Sequence, residues 1–309
     1  MEGDLLSCAW RPRRTLGWIP SALIALAAGV ALAACGDAAS KPPAGDLTTV
    51  APRPSYAKRR ALTSQARAAQ ATGDWETCAR LFEAAHSWTD AARCVAHTGD
   101  VARGIANVER ALTRSVLELD RLRGDPELAP LHRDPRWNRL LADAANRLAA
   151  YRGRVNHELE ALAHADRTGH PPDANAFAAR RTRVAELVDG GGAILAEDYL
   201  NAALVYYRAD SAADAARARE FALAALEREP DSDDARWLAA AAEDRRLHHE
   251  GKPQKYGTQV VERGGRRVLW NVDPGVSDAE RERWSVPSLA EAIAGEAQTP
   301  ASLRAGDLP

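Results

Sequence analysis

Residues 72–100, TGDWETCARLFEAAHSWTDAARCVAHTGD, open and close on one tripeptide, Thr72-Gly73-Asp74 and Thr98-Gly99-Asp100. In each copy the glycine can end a helix in a left-handed cap while the aspartate starts the next. Between the copies the larger or apolar residues fall at Trp75, Cys78, Leu81, Phe82 and Ala85, the stripe of an amphipathic helix. A second helix starting near Ser87 carries Trp88, Ala91, Ala92, Val95 and Ala96, and a third carries Val101, Ile105, Val108 and Leu112. From Tyr56 to about Leu148 strand signals are absent, and the pattern predicts short helices that meet only their neighbours in the chain.

Alternating short helices joined by Gly-Asp turns resemble tetratricopeptide-type solenoids, in which a helical pair buries its apolar stripe against the pairs on either side. The two turns lie closer together than one repeat of about 34 residues, so the resemblance is partial. The Asp125-Pro126 and Asp134-Pro135 steps each favour an extended residue before a helix start. They present Leu128, Leu131 and Trp137 inward and close the array. The resemblance implies a protein partner held by the repeats.

Upstream, Arg11, Arg13 and Arg14 precede an uncharged stretch, residues 16–34, that ends in Leu32-Ala33-Ala34-Cys35. This arrangement resembles the bacterial lipoprotein signal, with residues 1–34 removed and Cys35 acylated as the first mature residue. The alternative is an uncut membrane anchor; the run is alanine-rich, contains Pro20 and Gly29 and is marginal in length for a span of about 20 residues, so cleavage is favoured. Residues 35–55 are poor in large apolar side chains and rich in Pro, Gly and Ala, the composition of a tether. The resemblance implies export and attachment, through the N-terminal lipid, to the cell membrane or the outer membrane. Export permits a disulfide between Cys78 and Cys94, and two buried thiols are the alternative.

The chain divides accordingly: signal 1–34, tether 35–55, a tetratricopeptide-like helical domain 56–150, a second helical domain 151–290 and a disordered tail 291–309. Alanine dominates the second domain. Helices are expected over 155–165, 175–188, 196–208, 212–228 and 233–249, followed by two β-prone runs, Tyr256 to Val261 and Arg266 to Trp270, around Gly264-Gly265. The fold class expected is all-α, with tetratricopeptide-like repeats followed by a helical domain ending in one β-hairpin.

Residues 237–259, WLAAAAEDRRLHHEGKPQKYGTQ, resemble an uncharacterised bacterial domain family marked by an Asp-Arg pair near a helix end, a Gly-x-Pro-Gln step and a Tyr-Gly-Thr-Gln strand entry. The resemblance covers about 155–290, with Asp166 at the position of an early aspartate and Asp273 at a later Val-Asp step. It departs at Tyr207-Arg208, where the family tends to carry Gln-His, and it implies no reaction. Helical spacing sets Arg245 beside the apolar stripe of Leu238, Ala241 and Ala242, aimed inward, and puts Asp244 and His248 at i and i+4. A buried guanidinium needs partners, and those within reach are Gln254, Tyr256, Thr258, Gln259 and Asp273. Two readings stay open, a polar network locking the hairpin to the helices and a small polar pocket in a ligand-binding or hydrolytic protein.

The formal charge is -2, and removal of a leader with three arginines and two acids leaves about -3. Basic residues are interspersed with acids, without the clustered face of a nucleic-acid binder. His157 and His164 are two turns apart and lack the pattern of a zinc helix. His248-His249 reads as a solvated helix end and Gly190-Gly191-Gly192 as a linker, since no strand precedes it and no phosphate-loop lysine follows. No cofactor and no metal is expected, and no nucleophile stands out.

Overall fold

The computed structural model describes residues 53–168, 174–208, 210–264 and 266–294. The signal, Cys35, most of the tether and residues 295–309 lie outside the described residues. The described part is mostly helical, with one two-stranded antiparallel sheet near its C-terminal end. This is the fold class expected from the sequence.

Helices α1 (Tyr56–Ala71), α2 (Trp75–Ala84), α3 (Trp88–Thr98) and α4 (Val101–Arg114) each pack on the next in chain order. Both Gly-Asp turns form as the sequence predicts. Gly73 and Gly99 take φ of 75° and 79°, and Asp74 and Asp100 accept from the amides of Thr77 and Arg103. The turns occupy the same place in successive helix pairs. The spacing is short because α2 and α3 are only 10 and 11 residues long. Cys78 and Cys94 are joined in a disulfide between these two helices.

Short turns of 3-10 helix and α5 (Leu119–Arg123) lead into α6 (Pro135–Arg152). Asp125 and Asp134 cap the two proline-started elements, and Leu128, Leu131 and Trp137 are buried beneath them. Gly104 of α4 lets Leu131 approach so closely that a Cβ there would lie 2.6 Å from its Cδ2.

The second half comprises α7 (His157–Thr168), α8 (Ala174–Asp189), α9 (Ala196–Tyr207), α10 (Ala212–Arg228) and α11 (Asp233–His249). Its apolar cluster begins at Leu159, whereas the two clusters of the first half end by Leu148. The described residues nevertheless belong to one compact unit. Buried Asp198 accepts from the amides of Asn156, Ile194 and Leu195, tying α7 to the start of α9.

Strands β1 (Val260–Arg263) and β2 (Arg266–Leu269) pair with Val260 opposite Leu269. The short helices α12 (Asp278–Arg283) and α13 (Leu289–Ile293) follow. Two expected boundaries move. Arg53, Pro54 and Ser55 belong to the body, not the tether, since Ser55 caps α1 and Arg53 pairs with Asp233 at 2.8 Å. Residues 291–293, expected in the tail, belong to α13, on which Ser288 and Glu291 form a capping box. Arg60 meets Glu291 at 2.9 Å and the amide of Ala57 donates to Glu282, so the first described helix packs beside the last ones. No helix among the described residues is long and apolar enough to cross a membrane.

Candidate functional site

The polar residues singled out after Trp237 gather around Asp244, not Arg245. Asp244 is fully buried in α11. Its carboxylate accepts from the amides of Lys255, Tyr256 and Thr258 at 2.7, 2.9 and 3.0 Å and from the Thr258 hydroxyl at 2.8 Å. Burial raises the Asp244 pKa above its ordinary value, and the four donors oppose that shift. The chain can curl its amides around one carboxylate because Gly257 takes φ of 79°, a left-handed conformation that glycine adopts without strain.

Gln254 and Gln259 complete the knot. Gln254 Nε2 donates to the carbonyls of Gln259 and Trp270, and its Oε1 accepts from the Gln259 amide. Gln259 Nε2 reaches the Tyr207 hydroxyl and the Ala241 carbonyl. Asp273 donates its amide to the Gln254 carbonyl and accepts from the amide of Gly275. Both polar atoms of the buried Gln254 side chain and the amide nitrogen of Gln259 are bonded within the protein, which favours the network reading.

Arg245 does not point inward. Its guanidinium lies over the Tyr207 ring, 5.4 Å from the centroid, and reaches Asp210 at 3.2 Å on the surface. The guanidinium that does lie inside is that of Arg281 on α12, which helical spacing in α11 could not have revealed, and among the described residues its nitrogens make no hydrogen bond. Arg281 is fully buried, against Gly257 and 3.7 Å from Asp278. Burial lowers its pKa, while Asp278, Asp244 and Asp273 oppose the shift. Nor does His248 pair with Asp244. Its ring packs edge-on against Trp270, with centroids 4.5 Å apart. The side chain of Asp166 lies outside the described residues. His157 is exposed and meets Glu160.

A second constellation was not legible in the sequence. Two adjoining hollows, of about 450 and 390 Å³, lie where α1 meets α11 and α12. Tyr56, Arg59 and Asp233 line both. Arg60, Thr63, Ser64 and Arg67 complete the first, and Arg53, Arg236 and Arg283 add further charge to the second. Asp233 is the anionic centre. It accepts from Arg53, Arg59 and the Ser285 hydroxyl, at 2.8, 2.5 and 2.7 Å. Burial pushes its pKa up, and the serine and the two guanidiniums outweigh burial and hold it below the ordinary value. Arg67 is exposed, with no ion pair among the described residues. Its trace in the sequence is the alternation of Arg59, Arg60 and Arg67 with Thr63 and Ser64 along one helix.

No protein-family model, no curated protein and no solved structure matches this chain.

Proposed function

We propose that this protein is a lipid-anchored component of the bacterial cell envelope whose helical body serves as a protein-interaction module. The observation that carries the reading is the tandem arrangement of α1 to α4, two helix pairs with the same Gly-Asp turn, each element packed on its chain neighbour. Such arrays build extended surfaces from repeated short units. The Leu32-Ala33-Ala34-Cys35 sequence, the proline-rich stretch after it and the Cys78–Cys94 disulfide support export and anchoring. The rival reading, a ligand-binding or hydrolytic site at Asp244, Arg245, His248, Gln254 and Gln259, has less support, because Asp244 accepts from Lys255, Tyr256 and Thr258, the glutamines bond to each other, and Arg245 and His248 pack on Tyr207 and Trp270.

The test is chemical cross-linking in intact cells, followed by fractionation and capture through a C-terminal tag. The reading expects the chain in the membrane fraction, cross-linked to one defined protein. Variants of exposed side chains on α1 to α4 should lose that partner while the Asp244→Asn variant keeps it. Recovery from the soluble fraction refutes the anchor, and recovery without any cross-linked partner refutes the interaction module.

A further inference from the structure

Arg281 on α12 is the one fully buried arginine among the described residues, and none of its three guanidinium nitrogens makes a hydrogen bond. A Cβ on Gly257 would meet its Nη1 at 3.4 Å, the Ala292 Cβ at 3.5 Å and the Leu269 Cδ2 at 3.6 Å, so the guanidinium is shut between the loop before β1, strand β2 and α13. Asp278 stands 3.7 Å from Nε, too far for a hydrogen bond, and the same oxygen accepts from the amide of Leu289 at 2.8 Å. A buried cation without hydrogen bonds opposes the closed arrangement around it. The end of the same helix carries a second strain. Ser285 takes φ of 53°, one of two positive values outside glycine among the described residues. Side chains hold this conformation only where surrounding contacts enforce it. Here the contacts are a bond from Ser285 Oγ to Asp233 at 2.7 Å and one from its amide to the Glu282 carbonyl at 3.0 Å. Against the two strains stand Val286 and Trp284, which pack on the core of the second half, and the surface bonds of Glu282 to Ala57 and of Glu291 to Arg60. Helices α12 and α13, of 6 and 5 residues, are too short to hold by themselves.

We infer that residues 277–294 form a strap that opens while the rest of the body stays folded, carrying Arg281 out to water and uncovering the core beneath Trp284 and Val286. Two independent strains meet in this one short segment, and strain of this kind gathers where a fold switches. Opening stays local because the neighbouring ties do not run through the strap. Asp244, Gln254 and Gln259 bond to residues outside it, so the loop before β1 stays joined to α11. Asp233 loses Ser285 on opening but keeps Arg53 and Arg59, so α1 stays tied to α11. Segments that move in folded proteins are drawn from the low-stability end in this way.

The experiment treats the purified protein with phenylglyoxal, which modifies guanidiniums open to water, and follows each arginine by peptide mass spectrometry beside amide hydrogen exchange. Arg281 is expected to react in the folded protein, slower than exposed Arg283 by the same factor that protects the amides of Trp284 and Val286. The amides of α10 and α11 should be protected more strongly than either. This first readout needs no variant. Arg281→Met removes the charge and keeps much of the side chain's length, so it should slow exchange at Trp284 and Val286 about ten-fold. Arg283→Met, on the same helix and paired only at the surface with Glu280, should leave that exchange unchanged. Protection of Arg281 equal to that of the α10 and α11 amides overturns the strap, since the guanidinium then reaches water only when the whole body unfolds. An Arg281→Met variant in which Trp284 and Val286 exchange as in the parent, or faster, overturns it as well.

Discussion

At the scale of single residues, the C-terminal half turns on one carboxylate. Asp244→Ala would leave the amides of Lys255, Tyr256 and Thr258 unpaired in the interior, and losing one partner of a buried charged network costs roughly 3 to 5 kcal/mol. Arg245→Ala removes a cation over an aromatic ring and a bridge to the exposed Asp210, worth about 1 kcal/mol or less. Urea denaturation of the two variants should therefore differ several-fold in free energy, and equal losses would contradict the placement. The neighbouring acids give pH dependences of opposite sign. Glu243 is pushed up by burial, but hydrogen bonds and charge from Arg246 and Lys255 override this and hold it at about 2. Its contribution is fully present above the ordinary 4.5 and is lost as the pH falls towards 2. Asp244 has a raised folded pKa, so its contribution is greatest below the ordinary 3.8 and is lost as the pH rises through the raised value. Stability curves of Glu243→Gln should accordingly lose part of the decline on the acid side, and an acid limb identical to the parent's would contradict the pairing with Arg246 and Lys255.

At the scale of elements, the first helix pairs are held by close approach and a covalent link. The Cys78–Cys94 bridge closes a loop of 16 positions, for which chain entropy alone gives about 3 kcal/mol. Reduction should lower the melting temperature of the parent and leave Cys78→Ala, Cys94→Ala unaffected. Two reactive body thiols in unreduced protein taken from cells would contradict the bridge. Gly104 makes a second test. Alanine normally favours a helix interior by about 1 kcal/mol over glycine, yet at this position the new Cβ meets the side chain of Leu131, itself buried at 1% exposure. Overpacking of that kind costs roughly 1 to 3 kcal/mol, so Gly104→Ala should be destabilising on balance. A stabilised variant would show that Leu131 can yield.

At the scale of the whole molecule, the beginning and end of the body are joined at Asp233. Its carboxylate holds Arg53 and Arg59 at the N-terminal side and Ser285 beyond α12. Asp233→Ala removes the shared partner and leaves two guanidiniums beside each other. Hydrogen exchange should then accelerate in α1 and α12 while α9 and α10, which lie against α11 in the main core, keep their protection. Uniform acceleration would mean that Asp233 supports the whole body instead of its closure.

The sequence by itself determined the helices, their caps, the two Asp-Pro turns and the hairpin, because each depends on interactions within a few residues of the chain. Thr72-Gly73-Asp74 and Thr98-Gly99-Asp100 carry their own left-handed glycine and capping carboxylate, and no distant contact is needed to read them. The hairpin announces itself through two β-prone runs about Gly264. Which charge lies inside was decided only by the tertiary structure. On α11, residues from Trp237 to Asp244 are all buried, since α9, α10 and the loop before β1 enclose the helix on several sides. A helix covered all round has no polar face from which inward and outward can be inferred, and adjacent Asp244 and Arg245 differ by only about 100 degrees. Arg281, Asp233 and the hollow beside α1 were hidden for the same reason. The partners of Asp233 and of the arginines on α1 are far away in sequence, 180 positions for Arg53 and Asp233 and 231 for Arg60 and Glu291, and pairings over that distance are set by how whole elements pack, which local spacing does not encode.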